Sequence, residues 1–122
     1  MRFIETKTHG YMDYLMGILL IVLPGLMGLD MNSAQSIVPM VIGVMTIVMS
    51  LMTAYELSVT NIIPMSTHLM IDLLSGIVLA ASPWIFGFAD EVYMPHLILG
   101  ILEIGASLMT KTKSHVTVGT ER

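Results

Sequence analysis

Cysteine is absent from the 122 residues, and charge is scarce, with five Lys or Arg and nine Asp or Glu. Without a thiol the chain forms no disulfide, no thiolate metal site and no cysteine nucleophile. The charged fraction of 11% is under half of the roughly 25% usual in soluble domains, too little to cover a water-facing surface. Asp, Glu, Lys and Arg are missing from sixteen residues between Asp13 and Asp30, twenty-five between Asp30 and Glu56, and seventeen between Asp72 and Asp90. A net charge of −4 with five basic residues argues against a nucleic-acid partner. No phosphate-cradling glycine loop, nucleophile elbow or His-Glu-x-x-His occurs, so nothing points to an enzyme or calls for a cofactor.

What is present is apolar: 55% of residues are hydrophobic and the mean hydropathy is +0.84. The chain reads as an integral membrane protein whose main partner is the lipid bilayer. A bilayer core about 30 Å thick takes roughly 20 apolar residues per helix, which predicts an all-α protein with spans near 10–29, 36–55, 67–88 and 92–110. The long runs lack the alternation that a membrane barrel strand requires. The first span has neither a compact basic flank nor a small-residue cleavage site, so it is not read as a signal peptide. Arg2 and Lys7 precede the first span, while Lys111, Lys113 and Arg122 follow the fourth. The first and third loops carry only acids, Asp30, Asp90 and Glu91. Under the positive-inside rule both termini face the cytoplasm, as expected of a multi-pass protein of the cell (inner) membrane.

The chain also repeats itself. An offset of 59 aligns Thr8, His9, Asp13, Gly17, Pro24 and Gly28 with Thr67, His68, Asp72, Gly76, Pro83 and Gly87. An offset of 57 aligns "SLMT" at 50–53 with "SLMT" at 107–110, and Gly43 with Gly100. Two tandem helical hairpins are expected, residues 1–59 and 60–110, forming one domain and followed by a polar tail, 111–122. Each unit crosses twice, so the repeats run parallel and both His–Asp pairs fall at one depth near the cytoplasmic face. At about 100° per residue, His9, Asp13, Gly17, Pro24 and Gly28 share one arc. Glycines on such a stripe suit close helix packing, so the stripe is expected to face the bundle. A second stripe matches Gly43, Thr46 and Ser50 with Gly100, Glu103 and Ser107; Glu103 is a lone acid in the fourth span, about 10 Å deep.

The segment "SPWIFGF" at 82–88, preceded by "HLMIDLLSG", resembles the SPW-repeat family of small bacterial membrane proteins, whose unit is a two-helix hairpin bearing Ser-Pro-Trp. The second unit matches at Ser82, Pro83 and Trp84. The first keeps only the proline, as Leu23, Pro24 and Gly25. The resemblance implies a membrane fold and no particular activity.

Two readings of the polar residues follow. In the structural one, His9/Asp13 and His68/Asp72 meet at i,i+4 on one helix face, the aspartates favour the positive helix end, and Thr8 or Thr67 caps it. In the functional one, the four groups with Glu103 form a polar site that relays protons or, through His9, Asp13, His68 and Asp72, holds a divalent metal. Pro24 and Pro83 are expected to kink or end helices, and Trp84 to anchor at the outer interface. His96 is placed near that interface within reach of water. The resulting expectation is a structural or interaction subunit. The alternative is a small transporter, proton-coupled carrier or ion-binding module, a version that predicts a homo-oligomer; besides the bilayer, the partners to look for are a second copy or another membrane protein.

Overall fold

A computed structural model describes residues 2–119, so Arg122, one of the five basic residues used for orientation, lies outside the described residues. Among them are four helices: α1 Thr6–Leu26, α2 Ala34–Met52, α3 Met65–Ile85 and α4 Met94–Met109. The first three are long and apolar enough to cross a membrane, and α4, with 16 residues, is shorter. Pro95 stands at the start of α4, where its missing N–H costs nothing. The helices start earlier than expected at α1 and α3, because Glu5 and Pro64 precede them in extended conformation. Thr8 and Thr67 therefore lie inside the first turn and are not caps, and no acid occupies either first turn.

The ends of α1 and α3 are closed alike. Gly28 and Gly87 adopt φ of +67° and +76°, the left-handed conformation that glycine enters without a Cβ penalty. The Leu29 N–H then donates to the Pro24 carbonyl at 2.9 Å, and the Phe88 N–H to that of Pro83 at 2.8 Å. This corrects the expectation that Gly28 and Gly87 belong to the packing stripe. They lie beyond the helices, with nothing within 4 Å of an added Cβ. Pro24 and Pro83 sit in the last turns and their carbonyls take part in helix termination.

Packing is tightest within each hairpin, α1 on α2 and α3 on α4, with α2 also against α3. The approach depends on missing side chains. A Cβ on Gly43 would stand 2.7 Å from the Gly17 carbonyl oxygen, and one on Gly76 would stand 3.0 Å from that of Gly100. The outward surface is apolar, with Leu15, Ile85 and Leu26 at 69, 62 and 76% exposure, whereas Thr46, Ser50, Ser82 and Asp72 are buried at 0%. Polar inside and apolar outside is the distribution that lipid, and not water, stabilises.

The two chain segments at the end that holds the His–Asp pairs complete the bundle. Val59, Thr60, Ile62 and Ile63 turn their N–H groups onto the Leu51 and Met52 carbonyls at the end of α2. Phe3 and Ile4 donate in the same way to the Met109 carbonyl at the end of α4, at 2.8 and 2.9 Å. Arg2 adds hydrogen bonds from its guanidinium to the carbonyls of Ser107 and Thr110. Helix carbonyls that would otherwise be orphaned are thus satisfied, and the first and last described segments lie at one end of the bundle.

Candidate polar centre

His9 and Asp13 lie one turn apart on α1, His68 and Asp72 one turn apart on α3, and each pair begins at the fourth helical residue. All four side chains are buried, with both imidazoles and Asp72 fully inaccessible. His9 Nε2 lies 2.8 Å from Asp72 Oδ2 and 3.0 Å from Asp13 Oδ2. His68 Nε2 lies 2.6 Å from Asp13 Oδ2 and 3.0 Å from Asp72 Oδ2. One oxygen of each aspartate is therefore shared by both imidazoles, and nitrogen and oxygen alternate around a four-membered ring of contacts. These four atoms lie within 4.8 Å of one another. The ring planes stand nearly perpendicular, at 78°.

The far sides of both rings are fixed by two threonines. Thr53 and Thr110 follow the last residues of α2 and α4. Each hydroxyl donates its single proton to a carbonyl one turn back, Thr53 to Met49 at 2.7 Å and Thr110 to Ala106 at 2.6 Å. Each oxygen then has only lone pairs left. It accepts from an imidazole: His68 Nδ1–H donates to Thr53 at 2.7 Å, and His9 Nδ1–H donates to Thr110 at 2.8 Å. The proton on Nδ1 of both rings follows from this chain of donors. Each Nε2 is turned toward the carboxylates.

The charge count is then definite. Two carboxylates carry −2, and two imidazoles protonated only at Nδ1 carry none. Acceptors facing acceptors at 2.6–3.0 Å require two positive units between them. Two protons supply these, and so does one divalent cation. Imidazole nitrogen with carboxylate oxygen is a donor set for zinc-type ions. Donors in a tetrahedral zinc site stand about 3.3 Å apart, given bonds of about 2.0 Å, so this ring would widen by a few tenths of an ångström. Asp72 Oδ1, buried and without a hydrogen-bond partner, is a further oxygen at the same place.

Tyr55 closes the centre toward the loop side. It is fully buried, its ring 6.0 Å from that of His68, and it packs with Met65 and Leu69. Glu103, placed in the same site by the sequence, is buried at 3% exposure yet makes no hydrogen bond through either oxygen. It stands beside the four and is not bonded to them. His96 does not reach water: at 1% exposure it donates from Nε2 to the Gln35 carbonyl at 2.8 Å and packs on Phe88. Trp84 is half-exposed at the end of α3, 5.7 Å from Tyr93.

Thr53 and Thr110 escaped the functional reading of the sequence. Their signal was present in the tetrapeptide "SLMT", which occurs at 50–53 and again at 107–110. Nothing local connects that tetrapeptide with histidines 15 and 101 residues away.

A family model described as SPW repeat domain matches residues 7–110. No curated protein and no solved structure matches the chain.

Proposed function

The chain belongs to the SPW repeat domain family, and from that premise we propose that it is a membrane-embedded cation-binding module. Its centre holds either two protons or one zinc-type divalent ion. The observation that carries this reading is the orientation of the two imidazoles by Thr53 and Thr110, which directs both Nε2 atoms and both Oδ2 atoms at one point. Ligating histidines are commonly held in this way by a partner on the other ring nitrogen. Exchange of one divalent ion for two protons is electroneutral, which matters where net charge is costly.

The structural reading has its own support: the shortest contacts, His68 to Asp13 and His9 to Asp72, cross between hairpins. In the proton-loaded form these ion pairs clasp α1 to α3. As glue alone they are an expensive solution, since apolar residues often serve a buried site as well or better. The clasp is accordingly read as the resting form of the cation centre.

Zinc titration of the purified, chelator-treated protein tests the proposal. One ion per chain, with about two protons released on binding, and loss of both in a folded His9→Gln/His68→Gln double variant are expected. A folded wild-type protein that takes up no zinc would exclude the metal-loaded form and leave only the proton-bridged clasp standing.

The duplicated sequence supports two parallel hairpins, residues 1–59 and 60–110, as the building units. The basic residues at both ends support cytoplasmic termini. A cysteine at Lys113, unique in this chain, should react with a membrane-impermeant maleimide only after the cells are opened. Labelling of intact spheroplasts would reverse the orientation.

A further inference from the structure

Between α1 and α4 the bundle is open on its lipid-facing side. A groove of about 640 Å³ runs from Ile4 and Met109 at one end to Leu19 and Leu99 at the other, with Glu103 and Asp13 midway along it. Its volume is that of a small-molecule site, whereas the groove between α2 and α3, lined by Ile42, Met45 and Leu74, has about 240 Å³. At the position of Glu103, offset by 57, the first unit carries Thr46. A groove of about 580 Å³ along α2, lined by Ile37, Val41 and Val48, carries no acid; the acid, and not the volume, sets the α1/α4 groove apart.

Glu103 is what distinguishes this groove from a plain gap between helices. Both of its oxygens are buried and unpartnered. Burying an unpaired carboxylate is costly. Two cationic groups at this end of the bundle are committed elsewhere: the Arg2 guanidinium to the Ser107 and Thr110 carbonyls, Lys111 to Glu5. The imidazoles of His9 and His68 hydrogen-bond at Nε2 and Nδ1 to the aspartates and threonines. Asp13 Oδ2 is likewise shared between imidazoles. That cost is relieved either by a proton on Glu103 itself or by a ligand head that enters from the groove, carries positive charge and donates hydrogen bonds; such a ligand also brings an apolar body to fill the remainder.

We propose that the α1/α4 groove binds a single-chain primary alkylammonium, its head on Glu103 and its chain along Leu15, Leu19, Leu99 and Leu102. Access is lateral, from the bilayer, since Leu15 and Leu102 are 69 and 56% exposed on the outer surface. Two unpartnered acceptors on one carboxylate favour a primary ammonium, with three N–H donors, over a quaternary one with none. The proposal does not rest on the cation centre, because Glu103 forms no bond to it.

Dodecylamine added to the full-length protein in neutral-detergent micelles tests this. Binding should raise the thermal unfolding midpoint by about 5 °C near saturation. Dodecanol should give no rise, and dodecyltrimethylammonium a smaller one. Glu103→Gln should abolish the rise while zinc uptake persists, which separates this site from the metal reading. Should that variant fail to fold, Leu102→Trp fills the groove from its exposed side and should abolish the rise with the carboxylate intact. An absent rise in the wild-type protein, or an equal one in Glu103→Gln or Leu102→Trp, overturns the proposal. Disulfide-linked dimers of Leu102→Cys at native expression level would also overturn it, by showing a second copy seated in the groove.

Discussion

His9 on α1 approaches Asp72 on α3 more closely, at 2.8 Å, than it approaches Asp13 one turn along its own helix, at 3.0 Å. The same inequality holds for His68, at 2.6 Å across the hairpins and 3.0 Å within α3. The centre is therefore shared between the two halves of the chain, and its consequences are expected to be non-local.

A double-mutant cycle on His9 and Asp72 measures that sharing. Removing either partner alone leaves a buried group uncompensated and should cost about 3–5 kcal/mol. Removing both as His9→Leu/Asp72→Leu should cost less than the sum, with a coupling above about 1 kcal/mol. Unfolding in mixed micelles reads the four corners. A coupling found only for His9 with Asp13 would return the pairs to their own helices.

The threonine hydroxyls should matter without touching a cation. Thr53→Val leaves the His68 Nδ1–H without its acceptor, at a cost of about 1–3 kcal/mol. It should also weaken zinc binding about 10–100-fold. Thr53→Ser retains the hydroxyl and should stay within a few-fold of wild type. Equal zinc affinity in the valine and serine variants would deny the hydroxyl an orienting role.

Close helix approach predicts a contrast between two glycines of α4. A Cβ at Gly100 would fall 2.5 Å from the Ala80 backbone nitrogen, whereas at Gly105 nothing lies within 4 Å. Gly100→Ala should destabilise by about 1–3 kcal/mol through overpacking. Gly105→Ala should be neutral, or stabilising by up to about 1 kcal/mol through helix propensity. Parallel thermal melts of the two variants decide it.

At the surface, Lys111 lies 2.6 Å from Glu5 and holds its carboxyl below the usual range by hydrogen bond and charge. A carboxylate depressed in the folded state adds stability that is present above its unfolded value and lost as pH falls through its folded one. Both groups are exposed, so the contribution is small. Lys111→Ala should move the Glu5 titration upward, as followed by carboxyl NMR shifts.

The membrane character, the helix number and the His–Asp stripe were legible in the sequence because each follows from local pattern. Charge-free runs are long enough to span, and i,i+4 spacing puts two side chains on one face whatever the rest of the chain does. Glycine is more ambiguous. Gly17 and Gly76 are packing positions, but Gly28 and Gly87, in the same periodic series, terminate helices. A spacing rule cannot tell where a helix stops when a proline and a left-handed glycine are available to stop it. The expectation that His96 reaches water failed for a related reason: its partner is a backbone carbonyl, which every residue owns and no sequence advertises.

By itself the sequence determined that this chain inhabits lipid, that it crosses by helices, and that two histidines and two aspartates ride on the packed faces of two of them. Only the tertiary structure decided that the pairs exchange partners and that Thr53 and Thr110 orient the imidazoles. It also decided that Glu103 stands apart in an open groove. Those relationships depend on rotation and separation between helices, set by contacts such as Gly17 against Gly43. For "THGYMDYLMG" at 8–17, the polar pair is thereby one half of a four-sided centre whose other half enters the chain 59 residues later.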